Sequence, residues 1–321
     1  MSRYLKSFLL FLALLAVCYT GGLILLTHGP MKNKVTNVKN LTGAWGNSLE
    51  RFREAEQVKN ADILFAGSSH TYRGFDTRIF SDSGYTCFNM GTSGQTPYIT
   101  YHLLKHYLDR IKPGCIVLDA YWEVFESEGS SEAMVDILCN SKLSRENISM
   151  ALESKNMMIY NSTLACAINR IFEPLDKAEQ RPDAYNRYIK GGFVESSYKA
   201  DIDSVKKSLK VRKAVLQQMQ IDCFEKTLEL IRSRNIRLIV VITPVLPDLK
   251  KKITNYGEFT SIIDSICWKH AATFVNYNTA ENFRRLKMDV SKDFYDKDHL
   301  TQSGVEKFNR IFISDFQKLI P

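Results

Sequence analysis

The sequence predicts an α/β protein built on a parallel sheet and carried by an N-terminal apolar helix. Three observations predict it. Short, intensely apolar runs recur along the chain, several of them stopped by glycine or proline. Segments with apolar residues at helical spacing separate these runs, and one apolar stretch near the start is long enough to cross a bilayer. With 321 residues and 45% hydrophobic content, the chain suffices for one sizeable α/β domain with appendages.

From Leu5 to Leu26 the chain reads LKSFLLFLALLAVCYTGGLILL, with Lys6 as its only charge. A spanning helix needs about 20 such residues, so residues 1–27 are expected to form a membrane anchor. A cleaved signal peptide is the main competitor. Its apolar core is usually shorter and ends at a small-x-small site, whereas Leu23 to Leu26 here continue the run. A lipidated Cys18 ranks third, because Val17 is bulky for the position before such a cysteine. Arg3 and Lys6 precede the span and Lys32, Lys34 and Lys39 follow it, so charge bias alone does not orient the helix. A short basic N-terminus followed at once by the first and only span is the arrangement of a signal anchor. It predicts an extracytoplasmic C-terminal domain, periplasmic or at the cell surface.

Residues 28–60 read as a stalk that becomes an amphipathic helix. The domain proper is expected over 61–321. ADILFA (Ala61 to Ala66), YTCFNM (Tyr85 to Met90) and CIVLDA (Cys115 to Ala120) read as buried strands, with helical periodicity from Tyr98 to Ile111 between the second and third. Strand, helix, strand implies parallel pairing. The stretch from about Glu123 to Leu216 is irregular and largely helical in composition, an insertion or cap with loop signals at Pro182 and at Gly191-Gly192. The pattern then resumes with a helix from Cys223 to Arg234, the strand RLIVVIT (Arg237 to Thr243), a further helix, the strand TFVNY (Thr273 to Tyr277) and a last helix from Ser303 to Leu319.

The net charge of +8 and a pI near 9.0 suit work beside anionic lipid or an anionic polymer. Nucleic acid is not expected as a partner: the basic residues are scattered, and the one tight cluster, Lys250 to Lys252, has no interleaved aromatics to stack bases. None of the seven cysteines shows the close spacing of a zinc or redox motif, so no metal and no cofactor is expected. Nor does any cysteine occupy a strand-end turn, which argues against a cysteine nucleophile.

Three blocks carry chemistry. In ILFAGSSHTYRGFD a buried strand runs into Gly67-Ser68-Ser69, placing a serine where open parallel sheets form their crevice; alone, it is also an ordinary helix cap. In FNMGTSGQTP, Gly94 sits in a turn that can bring its N–H to a substrate carbonyl, or simply joins strand to helix. In DFYDKDHLTQSG, Asp296 and His299 are three positions apart, so a turn lets the carboxylate reach Nδ1 and leaves Nε2 for a serine hydroxyl. Asp298, adjacent to the histidine, reads as less well placed.

The three blocks in this order resemble blocks I, II and V of the SGNH (GDSL-like) hydrolase superfamily, over roughly Asp62 to Pro321. The resemblance implies a flavodoxin-like three-layer α/β/α sandwich, Ser69 as nucleophile, His299 as general base, Asp296 as its orienter, and an oxyanion hole from the N–H groups of Ser69 and Gly94. The sequence has Gly-Ser-Ser in place of the common Gly-Asp-Ser. It also departs where the superfamily usually supplies an asparagine after the third strand, since LDAYWEVFE places Trp122 there. In its single span and Gly-Ser-Ser start the chain is similar to membrane-anchored envelope O-acetylation and D-alanylation proteins. That resemblance implies an acylated polysaccharide or envelope glycan as substrate and an integral membrane acyltransferase as a partner. Hydrolysis and transfer to a sugar hydroxyl both fit, as does an alternative of a different class, a catalytically weak scaffold or glycan-binding module.

Overall fold

The computed structural model describes residues 3–28, 31–32, 34–129 and 131–319. Among the described residues seven strands are formed: β1 (Ile63–Ala66), β2 (Cys87–Asn89), β3 (Cys115–Asp119), β4 (Asn186–Ile189), β5 (Phe193–Ser196), β6 (Arg237–Ile242) and β7 (Thr273–Asn276). Five of them make one sheet in the order β2-β1-β3-β6-β7, with every pair parallel. Counted within that sheet the order is 2-1-3-4-5, the flavodoxin-like doubly wound arrangement.

The residues explain the layers. β1 and β3 are buried along their whole length, as continuous runs of Ile, Leu, Val and Phe require when helices cover both faces of a sheet. On one face, the helices Thr77–Asp82 and Gln302–Leu319 pack together. There Phe75 stacks on Phe65 with centroids 4.5 Å apart and meets Phe312 at 5.1 Å. On the other face the helices Pro97–Ile111 and Gln218–Ser233 pack side by side. Pro97–Ile111 begins with Thr96 as N-cap and proline in its first turn, and ends at Lys112 in the left-handed conformation.

Two parts of the expected organisation differ from the structure. The segment read as a stalk is built into the core: Leu41, Ala44, Phe52 and Ala55 are buried with the sheet residues, the last two on the helix Ser48–Ala55. Arg51 on that helix is fully buried. Its Nε donates to the Gly192 carbonyl at 3.1 Å, its Nη1 to that of Gly46 at 2.9 Å, and its guanidinium lies 4.5 Å from the centre of the Tyr72 ring. Such a charge is tolerated because carbonyls and a ring face replace water. The inserted region likewise is not only helical. Between the helices Met157–Phe172 and Ile202–Ser208, β4 and β5 form an antiparallel hairpin turned at Gly191 and Gly192.

The helix Arg3–Thr27 has a mean hydropathy of 2.5 over its most apolar window and is long and apolar enough to be a membrane anchor or a signal sequence. The first two residues of the expected anchor lie outside the described ones. The C-terminal part of this helix packs against the rest of the protein: the Tyr19 hydroxyl donates to Asn161 Oδ1, Leu23 packs with Val38 and Ala165, and Asn169 Nδ2 donates to Thr27 Oγ1 at 3.3 Å. All seven cysteines are free thiols.

Because Phe52 is a core side chain, Phe52→Ala is expected to lower the unfolding free energy by about 3 kcal/mol. Urea unfolding of the detergent-solubilised chain measures this; a loss below about 0.5 kcal/mol is what a free stalk gives.

Candidate active site

β1 leads into Gly67-Ser68-Ser69 at the carboxyl edge of the sheet. Gly67 has φ +141°, and a Cβ there would lie 2.7 Å from both Asp119 Cβ and Thr71 Oγ1. Only glycine lets the turn rest against the end of β3. Ser68 caps the helix Ser69–Gly74, accepting from the His70 N–H at 3.3 Å, while its hydroxyl donates to Asp119 Oδ2 at 2.8 Å. Ser69 thereby becomes the first helical residue, with a backbone N–H that has no intrahelical acceptor.

The partners of Ser69 arrive from the far end of the chain. Phe294 and Leu300 form an antiparallel bridge, and the Tyr295 N–H donates to the His299 carbonyl at 3.1 Å, so residues 294–300 close into a tight loop. Within it Asp296 Oδ1 accepts the N–H groups of Asp298 (2.9 Å) and His299 (2.7 Å). Its other oxygen faces His299 Nδ1 at 2.8 Å, and His299 Nε2 lies 2.8 Å from Ser69 Oγ. The imidazole is held between two nearly parallel rings: Tyr295 with centroids 5.5 Å away and His70 4.9 Å away, at 5° and 18°. Stacking sets the ring plane, and the hydrogen bonds set its rotation within that plane.

Asp298, which the sequence placed second to Asp296, is in fact a full participant. Its Oδ1 is 3.1 Å from His299 Nδ1 and its Oδ2 accepts the Tyr121 hydroxyl at 2.6 Å. Asp296 makes the shorter bond, but Asp298 is the more buried and its charge is felt more strongly. Burial by itself lowers the pKa of His299; Asp298 and Asp296 outweigh it and raise the value to about 10. Burial opposes ionisation of Asp298, yet the adjacent imidazolium holds its carboxyl well below the usual range. His70 is the reverse case. Burial and then the positive charge of His299 push it down to about 3, so it stands neutral beside the charged imidazole.

Behind Ser69, the side chains of Asp119, Ser68 and His70 form a second buried chain, with Ser68 Oγ 3.0 Å from His70 Nδ1. Burial raises the Asp119 carboxyl to about 7 against the bonds from Ser68 and the backbone. Sequence reading missed this chain and Tyr121. Its one available signal was an acid ending an otherwise apolar strand at the crevice edge.

Ser69, Gly94, Thr96, Val124, Asp296 and His299 are among the residues lining a cavity of ≈ 500 Å³. Gly94 has φ +62°, a left-handed turn that brings its backbone to the same cavity as the serine. Trp122 is fully buried instead, 4.4 Å from the Tyr121 ring, and is not among the lining residues. His70, Asp298 and His299 present three potential ligand atoms within 4.8 Å of one another. Both nitrogens of His299 are already engaged by the serine and the carboxylates, an arrangement suited to moving a proton.

The fold and site therefore define a doubly wound α/β protein with a hydrogen-bonded row of serine, histidine and carboxylate at the carboxyl edge of its sheet. No family model matches the chain, and no curated protein matches it. Among solved structures it is similar to a GDSL-like lipase from Bacteroides thetaiotaomicron, at 13% identity over 86% of this chain and 99% of the other, with a TM-score of 0.44. It is also similar to a lipase/acylhydrolase from Enterococcus faecalis (11% identity, 80% and 95% covered, TM-score 0.40). A catalytic mutant of an acetylxylan esterase from Geobacillus stearothermophilus is a third (10%, 80% and 94%, TM-score 0.41).

The raised pKa of His299 sets a pH dependence. A general base acts in its neutral form, so a rate that depends on His299 climbs as pH rises through neutrality toward about 10. Asp298→Asn removes the charge that raises this pKa most, and the limb is expected to move to lower pH by about one unit or more. A kcat/KM profile of the two proteins checks this, and coincident profiles contradict it.

Proposed function

We propose that the chain is a serine-dependent acyl-ester hydrolase or O-acyltransferase that works through an acyl-enzyme. The observation that carries the reading is the relay from Ser69 Oγ through His299 to Asp296 and Asp298, set in an open cavity. His299 takes the Ser69 proton as the hydroxyl attacks an ester carbonyl, and the Ser69 and Gly94 N–H groups face the developing oxyanion. Collapse expels the alcohol, which leaves with the proton from His299. Water or a sugar hydroxyl then attacks the acyl-enzyme by the same route in reverse. The ring pair around His299 supports this assignment, since it keeps Nε2 in position in both charge states.

The apolar helix Arg3–Thr27 supports a place at a membrane, with the domain on the extracytoplasmic side as a signal anchor would leave it. There an acylated polysaccharide or other envelope glycan is the proposed substrate, and an integral membrane acyltransferase the proposed source of acyl groups. A second reading, a glycan-binding scaffold with little activity, is favoured by Trp122, which stands buried where a third oxyanion donor is usual.

Covalent labelling separates the two. A fluorophosphonate probe is expected to modify Ser69, and Ser69→Ala is expected to abolish the adduct and lower esterase kcat/KM by a factor on the order of 10³ or more. An unlabelled Ser69 in folded protein, under conditions that label an ordinary serine esterase, favours the scaffold.

A further inference from the structure

The loop that carries Asp296 and His299 borders a second, larger cavity of ≈ 1040 Å³. Phe294, Thr301 and Gln302 from the two ends of the loop form one wall, and the β4–β5 hairpin with its flanking residues forms the other. Tyr185 and Tyr198 line it and are 56% and 44% exposed. Their rings meet edge to face at 5.5 Å, Tyr198 meets Tyr295 at 6.1 Å, and Tyr295 stacks on His299. A line of aromatic contacts thus runs from this cavity to the imidazole.

We propose that this cavity is a saccharide subsite that seats a neutral, hydroxyl-rich stretch of the substrate beside the reacting ester. Its role rests on the acyl-transfer reading of Ser69, although its capacity to bind does not. Exposed tyrosine rings offer apolar faces to the C–H side of a sugar ring and a hydroxyl at the edge. Asp183, Asn186, Arg187 and Gln302 add directional donors and acceptors around them. An acyl chain would share this space with the charged side chains of Asp183, Arg187, Glu195 and Lys199. A polyanion finds no net positive charge there: Arg187 is paired with Glu195 at 2.6 Å and Lys292 with Asp289 at 3.5 Å, which leaves Lys199 set against the carboxylate of Asp183. The walls are tied to the catalytic elements. Arg73, on the helix that begins with Ser69, donates to Asn186 Oδ1 at 2.8 Å, and the Ala200 N–H donates to the Tyr295 carbonyl at 2.9 Å. A site held this way loses little freedom on binding.

The test uses the full chain in detergent with Tyr185→Ala/Tyr198→Ala, whose exposed rings leave the core intact, as circular dichroism verifies. In affinity electrophoresis, xylan and hydroxyethylcellulose are the neutral probes, with alginate and anionic lipid vesicles as comparators. Retardation of the wild type by a neutral probe, weakened roughly tenfold in the double variant, is expected. For turnover Tyr185→Ala is used alone, because Tyr198 touches the ring that stacks on His299: KM for acetylated xylan is expected to rise several-fold while kcat/KM for p-nitrophenyl acetate stays unchanged. No retardation by either neutral probe, equal retardation of both proteins, or preference for alginate or vesicles overturns the proposal. An equal loss on both esters also overturns it. If neither ester is turned over but retardation still depends on the two tyrosines, the acyl-transfer reading falls and the saccharide subsite stands.

Discussion

The 2.8 Å contact between Ser69 Oγ and His299 Nε2 joins side chains 230 positions apart in the chain, and the surrounding structure is arranged to hold it. The serine is fixed by a glycine turn pressed against β3 and by the Ser68 cap. The histidine is fixed by a loop whose backbone N–H groups are tied to Asp296. Each half alone is a local turn. Together they depend on a parallel sheet that brings the end of β1 and the loop after β7 to one edge, as the doubly wound order requires.

Two carboxylates rather than one face His299 Nδ1, and the difference matters because the site is buried. In a medium less polarisable than water their charges act strongly on the imidazole, and the same low polarisability keeps the neighbouring His70 neutral. A single imidazolium therefore stands between a neutral ring on one side and Tyr295 on the other. Tyr121 completes the arrangement by donating to Asp298, which links the loop to the end of β3.

The inserted region and the segment before β1 form a frame around this site. Arg51 reaches the hairpin turn at Gly192 and lies over Tyr72 on the helix Ser69–Gly74, and Glu54 accepts from the Tyr188 hydroxyl and the Gly191 N–H. These buried polar contacts cost desolvation on each side, so they persist only when all partners are present. The hairpin, the helix Ser48–Ala55 and the serine turn are consequently parts of one unit.

By itself the sequence determined the elements that follow from local pattern. The five sheet strands were legible as short apolar runs, most continuous in β1 and β3, which are buried along their whole length, and the long helices because apolar residues repeat along one side. Ser69, Gly94, Asp296 and His299 were legible because each lies in a short motif at a strand end or before a helix. What only the tertiary structure decided lies between segments distant in the chain. Asp298 outweighs its reading because burial depends on what covers it; Arg51 and Phe52 looked like stalk residues because an amphipathic helix does not say what it packs on. The β4–β5 hairpin, short and half exposed, lacks the apolar run that marks a sheet strand. Burial, stacking and charge coupling are properties of neighbours in space, and a linear sequence specifies those only through the fold it adopts.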